Sequence, residues 1–152
     1  MINFSRLKVG DCFFIIEMVK IYSLEKKFVK FEGEAKKVVK DIFDFLLVEK
    51  TDLEVFFVNN QEMKKINRKY RKKEKLTNIL SFSPPHDFPE HYLKKNIGEI
   101  YLAPDFILKE GESIKKLLVH GILHLLGFDH KKKEEAKKME KKEEEIVAAL
   151  GF

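Results

Sequence analysis

The sequence has one cysteine and no long apolar run, and each shortage excludes a class of protein. Cys12 is the only cysteine among 152 residues, so neither an intramolecular disulfide nor a thiolate metal cluster can form. The apolar run over 12–16 is five residues long, whereas a membrane span needs about 20. It is also too short for the apolar core of a signal peptide. We therefore expect a soluble, cytoplasmic protein without a membrane partner.

What the chain does contain is typical of a folded domain. Hydrophobic residues make up 44% of it and aromatic residues 12%, which excludes a disordered chain. The length predicts a single domain over residues 1–152, with residues 1–17 as a candidate N-terminal extension. The net charge of +5 and the pI of about 9.1 permit a nucleic-acid partner without requiring one.

Hydrophobic periodicity predicts helices and strands that alternate along most of the chain. Strands are predicted over 19–22, 53–58, 78–82 and 97–102. Helices are predicted over 34–48, 60–70, 104–110, 113–126 and 132–150. Loops are predicted over 71–76 and 86–95. This order favours an α+β (mixed α/β) fold, in which a small central sheet of about four strands carries packed helices.

Two histidines interrupt a helix that is otherwise apolar. Over 117–126 every residue is apolar except His120, Gly121 and His124. A helix that is apolar all round is buried, and an unpaired buried polar group costs about 1–3 kcal/mol, so both rings need partners. Because His120 and His124 are four residues apart, their rings lie on one face and can bind one metal ion.

A third histidine follows at a spacing that returns it to the same place. Gly127 permits the left-handed turn that ends a helix, and the reversing chain then carries His130 back toward the other two rings. Three nitrogen ligands leave the fourth tetrahedral position open, which is the pattern of a catalytic zinc site. The metal could also be nickel or another transition metal.

Other interpretations of these histidines remain open. Two histidines at this spacing are also found on helices that are merely packed or solvated. We interpret Asp129 as a turn residue, or as a hydrogen-bond partner of a ligand, in preference to a metal ligand. His86 and His91 are interpreted as solvated loop histidines.

The spacing also resembles that of metzincin proteases, with one change. Metzincins carry a glutamate directly after the first histidine as the general base, and here that position is Gly121. Glycine cannot transfer a proton, so a protease would lack its central group. A metal that acidifies its water to a pKa of about 7 still suits a phosphodiester.

Taken together, these residues resemble the YbeY family of bacterial endoribonucleases. The family signature His-Gly-x-Leu-His-Leu-x-Gly-x-Asp-His matches residues 120–130 without a departure. The block Asn-x-x-Tyr-Arg matches 67–71, and the following family block Thr-(Asp/Asn)-Val-Leu-Ser-Phe appears as Thr-Asn-Ile-Leu-Ser-Phe over 77–82. A third block, usually Gly-Asp-Ile, reads Gly-Glu-Ile over 98–100. The resemblance covers about residues 53 to 130, and it continues more weakly toward residue 19.

The resemblance implies a function and roles for four residues. It implies a single-strand-specific, metal-dependent endoribonuclease that acts in ribosomal RNA maturation and ribosome quality control. RNA and the small ribosomal subunit would be its partners. His120, His124 and His130 would bind zinc, and Arg71 would lie by the cleft and matter for activity.

Without the family resemblance, the residues alone give weaker support for a role of Arg71. A guanidinium can clamp phosphate oxygens with two donors, which lysine cannot do. An exposed arginine that caps a helix is the alternative interpretation. Two other functions also stay open: a non-catalytic ribosome- or RNA-binding protein with a structural zinc, and, less favoured, a zinc protease without its glutamate.

Overall fold

A mixed four-stranded sheet forms the centre of the molecule. The computed structural model describes residues 3–4, 16–17, 19–49, 51–85 and 96–152. The central strands are β3 (Val19–Ser23), β4 (Asp52–Phe57), β5 (Ile79–Phe82) and β6 (Asn96–Leu102), in the order β3-β4-β6-β5. Strands β3, β4 and β6 are parallel neighbours, and β5 pairs antiparallel with β6. A separate antiparallel pair joins β1 (Asn3–Phe4) to β2 (Ile16–Glu17).

Helices cover this sheet on both faces. A 3-10 helix (Lys26–Phe31) leads into α1 (Glu32–Leu46), and α2 (Asn60–Arg71) follows β4. After β6 come α3 (Pro104–Lys109), α4 (Ile114–Leu125) and α5 (Lys133–Leu150). None of the helices in the described part of the chain is long and apolar enough to cross a membrane.

The main core lies between one face of the sheet and helices α1, α4 and α5. The residues of strand β4 alternate between buried and half-buried positions, so every second side chain faces this core. Leu53, Val55 and Phe57 are fully buried on this face. Fully burying such a side chain is worth about 1.5–3 kcal/mol. A smaller core on the opposite face packs α2 against Leu80 and Val58 through Met63.

The fold class predicted from the sequence is confirmed, and most predicted elements agree to within two residues. Asn59 caps α2 as its spacing predicts, because its side chain accepts a hydrogen bond from the Glu62 backbone N–H at 2.8 Å. The 3-10 helix was not predicted, since only Phe28 in it is fully buried and it shows no helical period. The loop predicted over 86–95, with His86 and His91, lies outside the described residues.

Candidate metal centre

Helix α4 holds two of the three predicted ligands on a rigid support. Ser113 caps the helix by accepting a hydrogen bond from the Lys116 backbone N–H at 3.4 Å. Four large apolar side chains of the helix are then fully buried: Leu118, Val119, Ile122 and Leu123. Their packing prevents the helix from rotating about its axis. His120 and His124 therefore project, one turn apart, from the edge that remains partly exposed.

The structure brings the three histidine rings together. The ring centroids of His120 and His124 are 4.6 Å apart, and those of His124 and His130 are 4.8 Å apart. The His120 and His130 centroids are 6.0 Å apart. The turn that returns His130 contains Gly127, whose φ of 95° is in the region that favours glycine, as predicted. His130 lies after α4 in a segment without regular secondary structure, and its side chain is 61% exposed.

Hydrogen bonds to two of the rings leave one nitrogen of each ready for a metal. The Nδ1–H of His120 donates to Glu143 Oε1 at 2.7 Å, since an ionised carboxylate can only accept. The Nδ1–H of His124 donates to the Phe128 carbonyl oxygen at 3.0 Å. Each Nε2 then keeps its lone pair, which is the tautomer that metal-binding histidines adopt. The donor chemistry of the site thus fits a transition metal.

Burial keeps His124 in the neutral form that a ligand requires. Desolvation of its ring lowers the pKa of His124 below its ordinary value of 6.5, and the nearby rings of His120 and His130 lower it further. The hydrogen bond to the Phe128 carbonyl opposes this shift. Because the lowering effects dominate, they favour the neutral imidazole that a metal ligand requires.

Asp129 lies next to the rings and forms a hydrogen bond with the adjacent backbone. Its Oδ1 accepts the His130 backbone N–H at 2.7 Å, and this bond lowers the pKa of the carboxyl, as does nearby Lys131. The ligand atoms of His124, Asp129 and His130 all lie within 4.8 Å of one another, a group that could hold a metal ion. His120 is not part of that compact group, although its ring contacts that of His124.

A cleft of about 480 Å³ opens beside these side chains. Its walls include Arg71, Ser81, Ser83, His124, His130 and Lys131. The structure therefore brings Arg71 to the same cleft as two of the predicted ligands. His120 lies beside His124 and not in the cleft wall, and its side chain is 34% exposed.

Arg71 reaches the cleft because helix α2 ends at that residue. Lys72 adopts a left-handed conformation with a φ of 56° and terminates the helix. Asn67 is 2% exposed, and its Nδ2 donates to the Lys75 carbonyl oxygen at 2.8 Å, which fixes the chain after the helix. The guanidinium carbon of Arg71 lies 6.0 Å from the centre of the Phe82 ring on β5.

The glycine of the histidine signature has a packing role that spacing alone did not reveal. A Cβ on Gly121 would lie 2.9 Å from Ile79 Cδ1 and 3.0 Å from both Ile100 Cδ1 and Ser81 Oγ. Position 121 therefore faces strands β5 and β6. A larger side chain does not fit at this position, because α4 lies too close to the sheet.

The glycine of the third block is constrained in the same way. Gly98 has a φ of 133°, and a Cβ there would collide with the Phe82 carbonyl oxygen. The neighbouring Glu99, where the family pattern has aspartate, accepts a hydrogen bond from the Tyr101 hydroxyl at 2.8 Å. Burial is the main cause that raises the pKa of Tyr101, with Glu99 adding to it. Glu99 belongs to the sheet surface and not to the cleft.

Among the described residues of this centre, sequence reasoning missed one and left two unassigned. Glu143 is 23 positions from His120 on a helix rich in glutamate, and nothing in the sequence distinguishes it from its neighbours. Ser81 and Ser83 line the cleft, and only Ser81 lies in a sequence block that pointed there.

Comparisons with known proteins agree with this architecture. The family model described as Endoribonuclease YbeY matches residues 20–151. A Persephonella marina protein named Endoribonuclease YbeY is 34% identical over 120 residues, which cover 74% of each chain. A Wolbachia protein of the same name is 31% identical over 151 residues, covering 89% of this chain and 97% of the relative.

A solved structure supports the assignment. A Thermotoga maritima protein solved in solution is 26% identical, with a TM-score of 0.52, and the match covers 88% of this chain and 91% of that one. The length of the family match, the identities and the shared fold all point the same way. The chain therefore belongs to the YbeY family of endoribonucleases.

Proposed function

We propose that this protein is a metal-dependent endoribonuclease that cleaves single-stranded RNA in the cytoplasm. Its substrate is ribosomal RNA, and it acts on the small ribosomal subunit during maturation and quality control. The observation that carries the proposal is the meeting of a histidine cluster and Arg71 in one cleft, in a chain of this family.

Zinc is the metal proposed for the site. His120, His124 and His130 would hold it, the first two through Nε2, because their Nδ1 atoms are engaged by Glu143 and Phe128. When bound, a metal of this kind supplies a Lewis acid and a water acidified to near neutral pH. His130 is the most exposed of the three side chains, so it has the most freedom to adjust.

The protein side chains have separate tasks in this proposal. Arg71 clamps the phosphate beside the metal site and offsets charge that builds in the transition state. Ser81 and Ser83 offer hydroxyl groups to phosphate or ribose oxygens in the same cleft. Glu143 holds the His120 ring in one tautomer and orientation.

One observation favours a second candidate, a non-catalytic RNA-binding protein with a structural metal. The Asp129 carboxylate lies within 4.8 Å of ligand atoms of His124 and His130. If it joined the three histidines, four protein ligands would close the site, as in structural zinc centres. Its existing bond to the His130 backbone argues for the open site.

The decisive experiment separates these two candidates. We expect the purified protein to carry about one zinc per chain, and to cleave single-stranded RNA but not the matching duplex. Removal of the metal should stop cleavage, and zinc should restore it. Asp129→Asn should keep its metal if the site is open. Loss of the metal in Asp129→Asn, together with RNA binding but no cleavage by the loaded wild type, would favour the binding protein.

A further inference from the structure

The solvent-facing side of α2 carries a continuous row of basic side chains. The basic stripe consists of Lys64, Lys65, Arg68, Lys69 and Lys72, all of them exposed. Helical spacing places the first four on one side of α2, over about 7.5 Å of its length, and Lys72 follows at the C-terminal cap of the helix. The opposite side packs on the sheet through buried Met63 and Asn67. The stripe lines a shallow groove of about 1030 Å³.

The charge of the whole protein is concentrated here. Residues 60–75 contain eight basic and two acidic side chains, a local net charge of +6, whereas the complete chain carries +5. The other 136 residues together are therefore close to neutral, at −1. Lysines that serve only solubility would be distributed over the surface and would not be localised in one segment. Such a local excess is typical of a surface that binds a polyanion.

Among the residues that the structure describes, few carboxylates neutralise the stripe. Lys65 lies 3.1 Å from Glu62, and Arg68 lies 3.4 Å from Glu74. Arg68 and Glu74 are both more than 70% exposed, so a phosphate can replace the carboxylate at little cost. In the part of the chain that the structure describes, no carboxylate pairs with Lys64, Lys69 or Lys72.

The stripe and one wall of the metal-centre cleft belong to the same helix. Arg71, on the last turn of the same helix, lines that cleft. Tyr70 is 59% exposed, its ring centroid is 5.2 Å from that of Phe82, and the Nζ of Lys69 in the stripe lies 5.0 Å from the centre of its ring. A supported aromatic ring beside a row of cations is the combination that proteins use to bind single strands, through base stacking and phosphate contacts.

We propose that the basic stripe binds the backbone of the single-stranded RNA where it leaves the cleft, and that Tyr70 stacks on one of its bases. The identity of the strand as substrate rests on the proposed function, whereas its binding to α2 does not require cleavage. Duplex RNA would present no unstacked base to Tyr70, so the stripe and the ring together favour a single strand.

The first test removes three charges of the stripe that do not line the cleft of the metal centre. The variant combines Lys64→Gln, Lys65→Gln and Arg68→Gln, and its control combines Lys137→Gln, Lys138→Gln and Lys141→Gln on α5. Binding of a labelled single-stranded RNA to the full, metal-loaded protein is measured by fluorescence anisotropy at several salt concentrations. Each phosphate contact contributes about 0.7 to the slope of log affinity against log salt, so the stripe variant should lose about 2 from it. The control should keep its slope.

The second test concerns the base. Tyr70→Ala should weaken RNA binding by about tenfold, on the scale of one lost base stack, while leaving the salt slope unchanged. Tyr70→Phe keeps the ring and should bind as the wild type does. An equal loss in both Tyr70 variants would rule out stacking.

Cleavage in the same samples separates this inference from the proposed function. The stripe variant should need more enzyme for half-maximal cleavage, with an unchanged single-turnover rate at saturation. A wild type that binds RNA through the stripe without cutting it would refute the nuclease and leave this inference standing. An unchanged slope of log affinity against log salt in the stripe variant, or a wild type that binds no RNA, would overturn the inference. The stripe would then be a surface for an acidic protein partner.

Discussion

Helices α4 and α2 both bring side chains to the same cleft, yet they are built in opposite ways. In α4, Leu118, Val119, Ile122 and Leu123 are fully buried, and the helix contacts the sheet, α1 and α5. In α2 only Met63 and Asn67 are buried. The first helix is positioned by close packing, and the second by a small apolar contact, a cap and one buried amide.

The difference matches what each helix has to do. Metal coordination requires ligand atoms placed to within a few tenths of an ångström, and a packed helix provides that rigidity. Electrostatic attraction falls slowly with distance, so exposed lysines can act without a fixed rotamer. We therefore expect substitutions around α4 to abolish metal binding and activity, and substitutions on α2 to weaken RNA binding gradually.

The largest effect should come from removing a proposed ligand on α4. His124→Ala should lose the metal and reduce RNA cleavage by more than about 10³-fold, because the activated water is lost. Elemental analysis and single-turnover cleavage measure both quantities on one sample, and circular dichroism checks the fold. A His124→Ala protein with its full metal content would remove this residue from the centre.

The next largest effect should come from the end of α2. Arg71→Lys keeps the charge but loses the two-pronged contact, so cleavage at saturating enzyme should slow by about 10²–10³-fold. RNA affinity should fall much less, since one phosphate contact among several is lost. If affinity collapses while the saturated rate is unchanged, Arg71 is a binding residue and behaves like the stripe.

A smaller effect should come from Glu143, which contacts the centre only through His120. Glu143→Gln weakens the hydrogen bond that orients the ring, and zinc affinity should fall by about 10–100-fold. Competition with a chelator measures this without reference to activity. Glu144→Gln, an exposed neighbour on the same helix, is the matched control and should bind zinc as the wild type does.

The smallest effect should be a pH dependence of stability in the metal-free protein. The folded-state pKa of His124 lies below its ordinary value of 6.5, so below that pH the unfolded chain binds more protons. The contribution of His124 is fully present above about pH 6.5 and is lost as the pH falls through the folded-state pKa. Urea unfolding at several pH values should show this decline, and His124→Gln should flatten it.

The sequence predicted the parts of this molecule that depend on local patterns. Periodicity located the central strands and the α-helices. The spacing of His120, His124 and His130 predicted that their rings lie close together, as they do in the structure. The sequence did not reveal the 3-10 helix, because few of its residues are buried. It also did not reveal the role of Glu143, which approaches His120 only because α5 packs on α4. The packing role of Gly121 was missed for the same reason, since it depends on how closely α4 approaches β5 and β6.

The uneven placement of charge also affects how the protein meets a polyanion. With a net +6 over residues 60–75 and −1 elsewhere, the excess positive charge of the molecule lies on α2 and the segment that follows it. In the field of RNA such a molecule turns before contact, so that α2 arrives first and the adjoining cleft is already directed at the strand. Encounters become productive more often, and the association rate constant should fall steeply as added salt shortens the range of the field.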